Sequence, residues 1–106
     1  MRTAQATVSE FVATSGLQVP AETRFLDLVS EVGEVAKDFL TATEYGAKTL
    51  SAQSNGDDFT GELGDVAFSL LALANALEVD LTDALQRAMA KYRERIYERG
   101  TAASGD

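Results

Sequence analysis

The stretch AETRFLDLVSEVGEVAKDFLTAT, residues 21–43, holds the pattern from which the fold follows. Phe25, Leu28, Val29, Val32, Val35, Ala36, Phe39 and Leu40 recur at helical spacing and form a wide apolar face. Pro20 sits just ahead, where its fixed φ suits a first helical turn. Beside the apolar face, not opposite it, runs a line of acids. Glu31 and Glu34 are three residues apart and project within ~60° of each other. Asp27 and Asp38 fall in the same arc.

Working outward, three more helices are predicted. One lies at roughly Ala4–Thr14, weakly amphipathic through Val8, Phe11 and Val12, and Ser15-Gly16 breaks it. Another runs from about Phe59 to Leu77 on a stripe of Leu63, Val66, Leu70, Leu73, Ala74 and Leu77. The last spans about Leu81 to Arg99, with Asp80 or Thr82 as cap and Gly100 as stop. Phe11, Phe25 and Phe39 are expected in the core. The polar stretch Glu44–Asp58, with its Asn55-Gly56 dipeptide, reads as a long connector, with closure over substrate and a plain surface connector as equal alternatives. Alternating strand patterns are hard to find. The expectation is an all-α, four-helix bundle-type domain over residues 1–100 and a flexible tail over 101–106. A single domain of 106 residues buries only a modest core, which favours assembly into a dimer or larger.

The second acidic pair is Glu62 and Asp65, again three apart and again beside core positions such as Val66. Exposed like charges at this spacing repel by about 0.2–0.5 kcal/mol, and more where two pairs meet at a helix interface. A divalent cation between them removes that cost. The chain has no cysteine and no histidine. That excludes disulfides, thiolate zinc sites and Ser-His-Asp triads, and it leaves only oxygen to hold a metal. Oxygen ligation selects hard cations, Mg²⁺ or Mn²⁺. Acids at this spacing on a single helix are more often a solvated face. Two pairs beside core stripes weigh against that reading.

Together the pairs resemble a known signature. Ser30-Glu31-Val-Gly-Glu34, then Glu62-Leu-Gly-Asp65 with 28 residues from Glu34 to Glu62, is similar to the E-E-x-x-E and E-x-x-D motifs of the MazG-like all-α NTP pyrophosphohydrolases. The resemblance covers about Arg24 to Arg95. It implies Mg²⁺-dependent cleavage of a nucleoside triphosphate between its α- and β-phosphates, giving monophosphate and pyrophosphate, in a dimer or tetramer. It implies Glu31, Glu34, Glu62 and Asp65 as metal ligands and catalytic residues. Ser30 stands where the motif has its first Glu, as in the dCTP-pyrophosphatase-like branch. Lys91-Tyr92-Arg93-Glu94-Arg95 resembles the K-(F/Y)-x-x-R segment of such proteins.

Independently of that resemblance, Arg87, Lys91, Arg95 and Arg99 recur every four residues. Lys91 and Arg95 are the candidate phosphate contacts, against the alternative of helix C-terminal stabilisation. Phe68 and Asn75 are the candidate base contacts, by stacking and by an amide reading a base edge.

Net charge is −8. Residues 1–80 carry 13 acids and 4 bases, and residues 81–106 carry 4 acids and 5 bases. So acidic a surface argues against binding a nucleic-acid polymer or a membrane surface. The start of the chain lacks the apolar run of a signal peptide, and Val66–Leu77 is too short to span a bilayer. A cytoplasmic role in cleansing the nucleotide pool is the first expectation. The alternatives are a phosphoribosyl-ATP or modified-nucleotide pyrophosphohydrolase, and a non-catalytic acidic helical interaction module.

Overall fold

The computed structural model describes residues 1–50 and 56–99, the side chains of residues 56–58 excepted. Four helices follow in order: α1 (Arg2–Ser15), α2 (Ala21–Ala42), α3 (Gly56–Ala76) and α4 (Leu81–Arg99). There is no strand among the described residues. Helix α3 starts three residues ahead of the predicted Phe59, so residues 56–58 belong to it and not to the connector. Of that connector, residues 51–55 lie outside the described residues, as does the predicted tail 101–106.

Local chemistry sets the boundaries. Gly16 adopts φ 68°, and its N–H returns to the Val12 carbonyl. Leu17 N bonds the same oxygen at 3.2 Å, closing α1 in a left-handed turn that glycine permits. Helix α4 is capped by Asp80, whose Oδ1 accepts from the Thr82 and Asp83 N–H groups at 2.8 and 3.2 Å.

Helices α2 and α3 make the principal pair. They run antiparallel. Phe39, late in α2, stacks on Phe59, early in α3, with ring centroids 4.5 Å apart. At the other end Phe25 and Leu26 share an apolar hollow with Leu73 and Leu77. Helix α1 crosses α3, and α4 packs chiefly on α1.

A side-chain clasp fixes that crossing. Gln5, buried on α1, donates from Nε2 to Asn75 Oδ1 (3.1 Å) and to the Val79 carbonyl (2.8 Å). Its Oε1 accepts the Leu81 N–H at 2.7 Å, and Asn75 Nδ2 donates to the Gln5 carbonyl at 2.9 Å. Arg2 adds an exposed ion pair to Asp80 at 2.8 Å.

The protomer is open. Its radius of gyration is 16.9 Å, against about 13 Å for a compact chain of this length. Among the described residues the buried apolar side chains are Phe59, Ala72 and Ala74. Phe11, Phe25 and Phe39, expected in the core, are 51, 53 and 43 % exposed. The reason is layering: among the described residues α2 packs mainly on α3, and α1 mainly on α3, which leaves the other faces of both open. On α4, Leu85, Met89, Tyr92 and Ile96 form a second exposed stripe at helical spacing.

Candidate active site

The inward face of α2 is the unexpected one. Ala21, Arg24, Leu28, Glu31, Val35, Asp38 and Ala42 are buried or half-buried, while Phe25, Leu26, Val29 and Val32 face outward. Three ionisable side chains thus stand on the stripe turned towards α3. On α3 the matching stripe includes Phe59, Glu62, Val66, Ser69 and Ala72. A helix pair that turns charge inward and apolar surface outward is organised around something other than its own core.

The charged residues converge on a cavity of about 350 Å³, lined by Arg24, Asp27, Glu31, Asp65, Phe68 and Ser69. Burial pushes the Glu31 carboxyl above its ordinary value. Asp65 adds to this, by repulsion and by lying close enough to share a proton, and Glu34 and Asp27 push the same way. Of the four predicted ligands, then, Glu31 and Asp65 face each other across the hairpin, and Glu34 acts on Glu31 electrostatically. Glu62 is half-buried one turn before Asp65, on the same side of α3. No three acids among the described residues stand close enough to hold an ion between them. The donor set nonetheless suits a hard cation: it is all oxygen, partly desolvated and mutually repelling.

The strain has a measurable sign. Glu31 keeps its proton to higher pH in the folded chain than in the unfolded one, where the ordinary value is 4.5. Stability from this group is therefore complete below 4.5 and lost as pH rises through the folded value. In EDTA at neutral pH, Glu31→Gln is expected to raise Tm, with the difference from wild type vanishing as pH approaches 4.5. A lower Tm for the variant at neutral pH would contradict this.

The other predicted residues separate. Phe68 lines the acidic cavity, its ring edge-on to Phe11 at 6.0 Å and 5.9 Å from the Arg24 guanidinium. Asn75 lines a neighbouring cavity of about 360 Å³, with Val12, Val19, Pro20, Arg24 and Ala72 among its walls. Its amide is engaged at both ends by Gln5. Lys91 and Arg95 line neither cavity. Both lean on Tyr92, with their charged ends 5.7 and 5.8 Å from its ring.

The sequence reading passed over Arg24. Its signal was spacing: Arg24, Leu28, Glu31 and Val35 form one i, i+4, i+7, i+11 line. A base on that line, among only 4 in the first 80 residues, marks a buried cation.

Comparison with known proteins agrees with this geometry. The profile of the MazG nucleotide pyrophosphohydrolase domain matches residues 20–99. The chain is 36 % identical over 74 residues to the uncharacterized protein YpjD of Bacillus subtilis (strain 168), covering 70 % of this chain and 65 % of that protein. It is 36 % identical over 81 residues to the Gene 37 protein of Mycobacterium phage L5, covering 76 % of this chain and 70 % of that one. No solved structure matches the chain significantly. The matched region takes in α2, α3, α4 and all four paired carboxylates, and the chain belongs to the MazG nucleotide pyrophosphohydrolase domain family.

Proposed function

We propose that this protein hydrolyses nucleoside triphosphates to monophosphate and pyrophosphate, with Mg²⁺, or Mn²⁺ in its place, held by Glu31, Glu34, Glu62 and Asp65. One observation carries the reading. Glu31 and Asp65 are brought together on facing helices, and the influences that shift Glu31 are burial and other carboxylates. Such a cluster is unfavourable by itself and becomes favourable around a divalent cation.

When bound, the metal supplies charge neutralisation of the phosphates and a more acidic water. The side chains do the rest. The carboxylates fix where the polyphosphate chain lies along the hairpin. The cavity of about 360 Å³ between α1, α2 and α3 has the size for a nucleoside and walls that mix apolar and polar side chains, and it adjoins the acidic cavity at Arg24. Phe68 offers a ring face at that boundary. Asn75 acts as a wall held by Gln5, because its amide is already engaged.

Lys91 and Arg95 keep a role only through a second copy. The outward apolar faces of α2 and α4 and the open shape of the protomer support a homo-oligomer, in which a neighbour's α4 brings these cations to the phosphates. No helix among the described residues is long and apolar enough to cross a membrane. We place the activity in the cytoplasm, acting on the nucleotide pool.

The test is a panel of ribo- and deoxynucleoside triphosphates, with and without Mg²⁺, with products resolved. Monophosphate plus pyrophosphate, lost on chelation, is the expected result. Diphosphate plus phosphate would mean a different bond is cut. No turnover of any nucleotide would remove the reading.

A further inference from the structure

Arg24 is a buried cation with no ion-pair partner among the described residues. Its residue exposure is 7 %. A guanidinium offers five N–H donors. One nitrogen, Nη2, donates to the Leu17 carbonyl, and the Phe68 ring lies 5.9 Å from the central carbon. Arg24 takes part in none of the ion pairs among the described residues. None of its nitrogens is both sealed from solvent and unpartnered. The remaining donors therefore keep access to solvent, and Arg24 lines both cavities.

Burying a guanidinium with one neutral acceptor is unfavourable, and burial is tolerated where an anion completes the shell. Asp27, three residues on, shares the acidic cavity, yet no ion pair forms between them. With no ion pair formed to Asp27, Glu31 or Asp65, which line the same cavity, the guanidinium can take an anionic ligand, and its position limits that ligand's chemistry. One side of Arg24 is the first cavity, whose walls mix Val12, Val19 and Ala72 with Ser9, Gln18 and Asn75, and the other is the carboxylate cluster. From Ala21 to Glu31 along α2, this tract runs about 15 Å, the scale of a nucleotide. A ligand placed with an uncharged part in the first cavity and an anionic group at Arg24 is a nucleoside carrying a phosphate on its 5′ carbon.

We propose that Arg24 binds the α-phosphate, the group shared by substrate and monophosphate product, and so sets the register of the nucleotide along the hairpin. The proposal rests on the pyrophosphohydrolase reading above. Arg24 holds the phosphate through its flat fork of N–H donors, a charge-assisted and geometrically demanding contact. The Leu17 carbonyl and the Phe68 ring hold the guanidinium plane in place. Arg24 moves no proton and touches no metal.

The experiment measures binding in EDTA, where the metal contributes nothing. Each of the common ribo- and deoxynucleoside 5′-monophosphates is titrated by calorimetry, with its nucleoside as control, against wild type, Arg24→Met and Arg24→Lys. Wild type is expected to bind the preferred monophosphate at least about tenfold more tightly than its nucleoside, the scale of one charge-assisted hydrogen bond. In Arg24→Met that ratio falls to near one. Arg24→Lys keeps the charge and part of the ratio. A purely structural Arg24 predicts instead that Arg24→Met weakens both ligands alike and leaves the ratio intact, which would overturn the proposal. So would a wild-type ratio of one. If triphosphates are still turned over with Mg²⁺ in either case, only the role of Arg24 falls. If they are not, the pyrophosphohydrolase reading falls with it.

Discussion

Asp65→Asn is expected to lower triphosphate turnover at least about a thousandfold, since loss of even an outer partner of a metal ligand costs roughly 10–100-fold. The substitution keeps size and hydrogen-bonding capacity and removes one charge. Asp65 is exposed on α3 and faces Glu31 across the cavity. Its removal relieves repulsion on Glu31, so the helices should stay intact and the metal-free protein should melt no lower than wild type. Turnover assays and thermal melts on one preparation check both halves. Collapse of activity at unchanged or higher stability marks a residue held for chemistry at the expense of the fold. Near-normal turnover in Asp65→Asn would remove it from the metal site. Equal losses of activity and stability would make it structural.

The second large effect is on stability and concerns Gln5. Gln5→Leu is close in size but deletes three side-chain bonds at once. It leaves the Val79 carbonyl, the Leu81 N–H and Asn75 Oδ1 without their partner. Each orphaned, part-buried group costs about 1 kcal/mol or more, so the expected loss is about 2–4 kcal/mol. That is a fall in Tm on the order of 10 °C or more for a domain of this size. Urea melts of Gln5→Leu, Asn75→Leu and the double variant give the coupling directly. The two losses should be strongly non-additive, because each variant breaks the same clasp. A loss below about 0.5 kcal/mol, the range of ordinary surface changes, would mean that solvent replaces the clasp.

Several features were legible from sequence because they are local. Asp80 at the start of α4 and Gly16 at the end of α1 do what their chemistry predicts, and α4 spans Leu81–Arg99 as read. The pairing of Glu31 with Asp65 was legible from two three-residue spacings on helices joined as a hairpin. The inward face of α2 was not. Periodicity finds an apolar stripe and assigns it to the interior. Here that stripe is split: Leu28 and Val35 turn inward, while Phe25, Val29 and Val32 stay largely exposed. Which side of an amphipathic helix meets its neighbour is a tertiary matter, and a partner outside the chain reverses the usual answer. Arg24 was hidden because a single base on the line of Leu28 and Val35 gives no motif by itself. Lys91 and Arg95 show the limit of spacing arguments. A ladder at every fourth residue fixes one edge of α4, but not which surface that edge meets.

The clasp also sets an order of events. Gln5 and Leu81 are 76 positions apart in sequence. Helices α2 and α3 are neighbours and can close on each other early, whereas α1 finds its partners only at the far end of α3. During synthesis α1 leaves the ribosome ahead of α2, α3 and α4 and completes its clasp only once Leu81 has emerged. At 5–20 residues per second, it waits roughly 4–15 s between its own emergence and that of Leu81. Through that interval the Gln5 amide is served by water and the crossing of α1 over α3 does not exist. The cavity it walls is thus among the last parts of the molecule to form, after the carboxylate pair on the hairpin is already in place.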